Sequence, residues 1–318
     1  MTADVSVIIP TYNRSAMVLE AVESVLGQTH ASFGLIVVDD GSTDGTFEEL
    51  SRINEQRMRV VRIANGGPAA ARNHGVAIAN APMIAFLDSD DLWMPQKLER
   101  QLAFMRAHHD CAISQTDEIW MRGGRRVNPG LRHRKRAGDI FVDSLRTCLI
   151  SPSAMIMRIE LFRSLGGFNE IMRAAEDYDL WLRILMNHPV GLLDEALVTR
   201  RAGHPGQLSA TIPAIDRFRI LALTKLLADE RLVGERRFAT AAVLREKCGI
   251  YAGGLTRRGE IARAKFYDNV REGALAWSER PDSELPRAIE TMRAMLTNKA
   301  AQSVIPSKAR NPVSSINA

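Results

Sequence analysis

Three carboxylates fall within four positions in Phe86-Leu87-Asp88-Ser89-Asp90-Asp91. Like charges held this close raise one another's pKa, whereas a bound Mg2+ or Mn2+ would neutralise them and take their hard oxygen ligands. A polar loop whose Asp caps the next helix explains Asp91 well and Asp90 less well. Upstream, Asp39-Asp40-Gly41-Ser42 closes another apolar run, and Arg72 lies between the two acidic groups in sequence. A base, a ribose and a diphosphate need different partners: an Asp can accept from a pyrimidine N–H, an Arg can stack on or donate to a base, and a cation takes phosphate oxygens. A turn residue before Gly41 and a solvated helix charge are the plain alternatives for Asp40 and Arg72.

A second carboxylate centre, Glu176-Asp177, precedes the helically spaced apolar set Leu180, Trp181, Ile184 and Leu185. A helix N-terminus favours the ionised carboxylate that a proton acceptor requires. Acidic residues in a first turn are also ordinary capping.

The elements that must position these groups alternate over the first hundred residues, the pattern of a parallel sheet with helices on its faces. Strands are expected at Val5–Ile9, stopped by Pro10, at Phe33–Val38, Arg59–Ile63 and Met83–Leu87. Helices are expected at Ser15–Leu26, around Phe47, Leu50 and Ile53, at Pro68–Ala79, and from Pro95 through Leu98, Leu102 and Met105. Open α/β sheets bind ligands beyond the carboxyl ends of their strands. The loops carrying Thr11–Arg14, Asp39–Asp44 and Asp88–Asp91 would converge there. A strand near Ala112–Met121, a mixed segment 139–157 and the helix from Glu176 follow. From Ile215 to Met295 the chain reads as helical, with Gly234, Gly249, Gly253-Gly254 and Gly259 as the expected breaks between antiparallel helices. Gly249 to Tyr267 has the small and aromatic spacing of a single tetratricopeptide-like hairpin, with no second copy. The division expected is 1–212, a helical extension 213–297, and a polar disordered tail 298–318.

With 318 residues, 46% of them apolar and 25% charged, the chain can bury a sizeable core, and wholesale disorder is excluded. No stretch approaches the roughly 18 apolar residues that span a bilayer, and Met1-Thr2-Ala3-Asp4 lacks a signal-peptide start. A cytoplasmic address is therefore expected. Cys111, Cys148 and Cys248 have no paired spacing, which suggests neither a disulfide framework nor a zinc site. Net charge is +5, yet 122–136 alone holds seven Arg/Lys and no acid, so removing it leaves −2. No nucleic-acid partner is expected from one local patch. That run could meet an anionic acceptor or the inner face of a membrane as a peripheral contact, or be a solvated loop.

The ordered pieces Val7-Ile8-Ile9-Pro10-Thr11-Tyr12-Asn13-Arg14, Val37 to Asp44, Gly66-Gly67-Pro68 to Asn73, Phe86 to Asp91 and Glu176-Asp177-Tyr178 resemble the family 2 glycosyltransferases over roughly the first two thirds of the chain. The resemblance implies an α/β GT-A fold, a Rossmann-like mixed sheet flanked by helices, and inverting transfer of a sugar from a nucleotide diphosphate sugar, UDP-type first, to a saccharide or lipid-linked acceptor. It implies that Pro10, Tyr12, Asp40 and Arg72 hold the base, that Asp88 faces the ribose or a metal-bound water, and that Asp90 binds Mn2+ or Mg2+. Asp177 would be the general base. His204 matches a later His that would complete the metal or diphosphate shell, where Arg200 and Arg201 could equally meet the diphosphate; a solvated loop His is the alternative. A nucleotidyltransferase is disfavoured because Pro10-Thr11-Tyr12-Asn13-Arg14 contains no glycine. A non-catalytic sugar-nucleotide-binding or scaffold protein is the other class, and intact Asp88, Asp90 and Asp177 count against it.

Overall fold

The computed structural model describes residues 3–204, 206–207, 211–279 and 284–297, so the expected tail 298–318 lies outside the described residues. The sheet comprises β1 (Val5–Thr11), β2 (Phe33–Asp39), β3 (Met58–Arg62), β4 (Met83–Phe86), β5 (Leu92–Trp93), β6 (Ile113–Arg122), β7 (Arg125–Val127), β8 (Met155–Arg158) and β9 (Gly191–Ala202). Its order is β3-β2-β1-β4-β8-β6-β9-β5, with β7 paired to β6. The strands from β3 to β4 run parallel, and β8 lies antiparallel to both β4 and β6. All seven residues of β1 are buried, as expected for a strand covered on both faces.

Pro10 does not end β1, which continues to Thr11. Its register with β4 stops at Ile8↔Phe86, and the Ile8 carbonyl accepts from Leu87 N at 3.0 Å. Two residues on, Pro10 faces the same side past the end of β4, so its missing N–H leaves no ladder bond unmade.

Helices α1 (Ser15–Leu26), α2 (Thr46–Ser51) and α4 (Lys97–Ala107) cover one face. There Val5, Val7 and Ile9 meet Val18, Val22, Leu50, Leu98 and Leu102. On the other face lie α3 (Pro68–Ala77), α5 (Phe141–Ser144), α6 (Ile159–Ser164) and α7 (Glu176–Leu185), joined in one apolar cluster by α8 (Asp216–Leu227), α9 (Gly234–Arg257), α10 (Ile261–Glu279) and α11 (Glu284–Thr297). The helical extension therefore shares the core that backs the sheet. Gly75 lets α3 approach β1, since a Cβ there would sit 2.5 Å from Ile8 Cγ2.

Two expectations need correcting. Gly249, Gly253 and Gly254 lie inside α9 and break nothing. A glycine costs a helix only about 0.5–1 kcal/mol, and buried Leu244, Cys248, Tyr251 and Leu255 outweigh that. Gly234 and Gly259, both at positive φ, do mark helix ends. Tyr251 meets Tyr267 edge-on at 4.7 Å and Arg237 Nε reaches the Trp277 carbonyl, so α9 and α10 form an antiparallel hairpin. Nor is 122–136 simply a solvated loop. Part of it is β7, and Lys135 Nζ reaches inward to Glu118 Oε1 and the Leu149 carbonyl, both at 3.2 Å.

Candidate active site

The carboxyl ends of β1, β2 and β4 open into a cleft of about 810 Å3. Pro10, Tyr12, Asp40, Arg72, Asp88, Asp90 and Asp177 all line it. His204 joins them through Asp90. Eight positions from six separate sequence segments thus meet.

The loop after β1 is fixed to the loop after β2. Asn13, at φ +49°, donates its N–H to Ser42 Oγ at 2.8 Å and accepts from Thr43 N at 2.7 Å. Asp40 is buried and holds the turn before α3: Oδ1 accepts from Gly66 N at 2.7 Å, and Oδ2 accepts from Gly67 N at 2.8 Å. Burial raises its pKa, against the pull of those two N–H groups.

Arg72 projects from α3 to join the two acidic centres. Nη2 donates to Asp88 Oδ1 and Nη1 donates to Glu176 Oε1, each at 2.6 Å. Burial alone would depress the guanidinium pKa; Asp88 and Glu176 outweigh it and hold the group charged. Burial also pushes the Glu176 carboxyl up, opposed by Arg72. Phe168 lies beneath the guanidinium at 5.4 Å.

The three neighbouring aspartates divide sharply. Each offers one oxygen within 4.8 Å of the others, a hard-ligand cluster that suits Mg2+ or Mn2+. Asp90 Oδ2 accepts from Arg14 Nη1 at 2.8 Å and lies 2.9 Å from His204 Nε2. Asp91 caps no helix. It is buried, with Oδ2 accepting from Ser153 Oγ at 2.6 Å and Oδ1 from Arg201 N at 2.9 Å, so it pins β9 to the loop. Burial, then Asp88 and Asp90, push its carboxyl well above the usual range. Arg201 is likewise structural, donating to the Asp90 carbonyl at 2.5 Å and pairing with Glu20.

Asp177 sits in the first turn of α7, where Oδ1 accepts from Tyr178 N at 2.7 Å and Cys148 Sγ lies 3.6 Å from Oδ2. Burial, aided by Asp177, keeps the Cys148 thiol protonated. An ionised carboxylate at this helix end can take a proton from a hydroxyl in the cleft. Trp120, His133, Arg200, Arg217 and Arg219 line the wall on this side, and Arg200 stacks on Trp120 at 4.8 Å.

Sequence reasoning missed Ser153, whose Oγ also accepts from Asp88 N at 3.1 Å, and the cleft-lining Arg173, Arg217 and Arg219. Arg14 was inside a matching piece, and its charge opposite an acidic cluster was the available signal. Ser153 offered none, because its partners Asp88 and Asp91 lie more than sixty residues away, and Arg217 and Arg219 read as ordinary charges in a helical stretch.

Comparison with known proteins fits this geometry. Residues 6–166, just over half of the chain, match the family described as Glycosyl transferase family 2. An uncharacterized glycosyltransferase of Rickettsia felis is 38% identical over 195 residues, 61% of this chain and 32% of that protein. The chain thus spans about a third of the length of that relative. The putative teichuronic acid biosynthesis glycosyltransferase TuaG of Bacillus subtilis is 45% identical over 115 residues, 35% of this chain and 45% of its own. Among solved structures, S. aureus TarS 1-349 in complex with UDP-GlcNAc superposes with a TM-score of 0.66 at 20% identity, covering 92% of this chain and 90% of that one. Mannosyltransferase PcManGT from Pyrobaculum calidifontis, in complex with GDP-Man and Mn2+, gives 0.55 at 18% identity, covering 92% and 84%. The shared architecture is the mixed-sheet GT-A fold with helices following it.

Proposed function

The chain belongs to glycosyl transferase family 2, and from that premise we propose that it transfers a sugar with inversion from a nucleotide diphosphate donor, UDP-linked first, to a saccharide or lipid-linked acceptor. Pro10, Tyr12, Asp40 and Arg72 take the nucleotide, and Asp88 the ribose side. Asp90, with His204, holds a Mn2+ or Mg2+. Such an ion supplies Lewis-acid stabilisation of the departing diphosphate. Asp177 accepts the proton of the attacking hydroxyl on the face opposite the leaving group.

One observation carries this: Arg72 bonds Asp88 and Glu176 at once, both at 2.6 Å. The donor loop and the first turn of α7 therefore lie across the width of a single guanidinium, which supports a role for Asp177 on a sugar held near Asp88. Neighbours described with UDP-GlcNAc, and with GDP-Man and Mn2+, support the donor class. Peripheral membrane contact through 122–136 belongs to the same proposal; among the described residues no helix is long and apolar enough to cross a membrane.

The test is a thermal-shift panel of UDP-, GDP- and dTDP-sugars with and without Mn2+, since ligand that binds the folded state raises its apparent stability. UDP-sugars are expected to stabilise the protein only with the metal, and Asp90→Ala should abolish both that shift and slow donor hydrolysis. Stabilisation that ignores the metal sinks the assignment.

A further inference from the structure

On the Asp177 side the cleft carries more positive charge than a donor would use. Arg217 and Arg219 stand at the start of α8 and line the cleft together with Ile215 and Phe218. The Arg219 guanidinium lies 5.7 Å from the ring of Tyr178, the residue next to Asp177. It donates to Asp216 Oδ1 at 3.2 Å, but Lys247 Nζ claims the same oxygen at 3.1 Å. Arg217 rests on the Phe218 ring at 4.9 Å, and no carboxylate among the described residues pairs with it. Two cations thus share the single charge of Asp216, and Arg217 has no carboxylate partner among the described residues. In both arginines the Nε atom is buried without a hydrogen-bond partner, as it is in Arg72, Arg245 and Arg263.

The donor does not account for these groups. Its base side is met by Asp40 with Arg173 close by, and its diphosphate would lie at the Asp88–Asp90 loop with the metal. Arg200, stacked on Trp120 and 3.9 Å from Glu118, is a further guanidinium of the cleft wall whose field reaches Asp91, Asp88 and then Asp177. An ionised Asp177 would repel an anionic acceptor, and flanking guanidinium groups offset that repulsion while offering paired donors to phosphate or carboxylate oxygens.

We propose that Arg217 and Arg219 form an acceptor subsite for a saccharide that bears an anionic group, phosphate or carboxylate, close to the hydroxyl being glycosylated. This rests on the transferase assignment above and names the class of its acceptor. The helical extension then contributes directly to acceptor choice, because both arginines lie in the first turn of α8.

The test uses the full chain and three fluorescein-labelled probes: an oligo(glycerol phosphate), an oligogalacturonate and neutral maltohexaose. Fluorescence anisotropy is read with and without UDP and Mn2+, at low and high salt. At least one anionic probe should bind ten-fold or more tighter than maltohexaose and weaken as salt rises; whichever it is distinguishes phosphate from carboxylate. R217Q/R219Q should lower that affinity at least ten-fold while UDP affinity, measured separately, stays within two-fold, and R217K/R219K should recover part of it. Anionic probes that bind no better than maltohexaose overturn the proposal, as does unchanged binding in R217Q/R219Q. A parallel loss of UDP affinity also overturns it, since the arginines would then serve the donor. If UDP fails to bind the unaltered protein, the donor assignment falls, while the nucleotide-free anisotropy still decides the acceptor subsite.

Discussion

Replacing Arg72 by Met removes the cation that Asp88 and Glu176 share. The side chains of Arg72 and Glu176 are 5% and 6% exposed, whereas that of Asp88 is 30% exposed. Water can therefore compensate Asp88, and the cost falls on Glu176. Removing one partner of a buried ion pair costs about 3–5 kcal/mol, which for a chain of this size is a fall in Tm of roughly 6–10 °C. The loss should depend on pH in a defined direction. Burial already raises the Glu176 carboxyl against the pull of Arg72, and without that pull it rises further. A group whose folded pKa is raised contributes stability while it is protonated and loses it as pH climbs through the folded value. The gap between Arg72→Met and the unaltered protein should thus be small at pH 5.5 and widest at pH 8, read by thermal unfolding at both. Adding Glu176→Gln should restore most of the Tm at pH 8 but not UDP binding. A gap independent of pH, or no recovery in the double variant, would refute the assignment of the cost to a stranded Glu176.

Asp177→Asn should keep UDP affinity within about two-fold and lower transfer by roughly 10²–10⁴, the usual worth of a positioned base; full activity would remove Asp177 from that role. Asp91→Ala strands Ser153 Oγ and Arg201 N and should cost about 2–4 kcal/mol in urea unfolding, while Asp91→Asn, which retains a carbonyl acceptor, should cost less. Because burial raises the Asp91 carboxyl, its contribution to stability erodes as pH climbs through that raised value, and Asp91→Asn should flatten the alkaline side of the stability profile. Gly75→Ala forces a Cβ to within 2.5 Å of Ile8 Cγ2 and should destabilise by about 1–3 kcal/mol; an unchanged Tm would mean that α3 can lift from β1 freely.

Much of the donor half was legible because parallel strands covered on both faces must be continuous apolar runs, and β1, β2 and β4 are. β9 was not. It pairs in parallel with β6 with register shifts at Thr116/Asp117 and Asp117/Glu118, which break the alternation that reveals a strand. The glycines of α9 misled because punctuation rules are local, whereas the packing that overrides them is tertiary. Asp91 misled in the same way: a capping position and a pin to β9 look alike until Arg201, 110 residues later, is seen donating to it.

The Arg72 bridge shows why the site residues could be listed from the sequence while their coupling could not. Glu176 follows Arg72 by 104 residues, and nothing about either position marks them as partners. Once bonded, they change what each carboxylate can do. Asp88 keeps one oxygen on Arg72, and Glu176, buried and committed to the same guanidinium, has no freedom to act as a base. Asp177 lines the cleft next door, and among the described residues its carboxylate bonds the N–H of Tyr178 and the thiol of Cys148. Of the two adjacent acids in the first turn of α7, the geometry therefore favours Asp177 for proton transfer and leaves Glu176 to hold Arg72 in place.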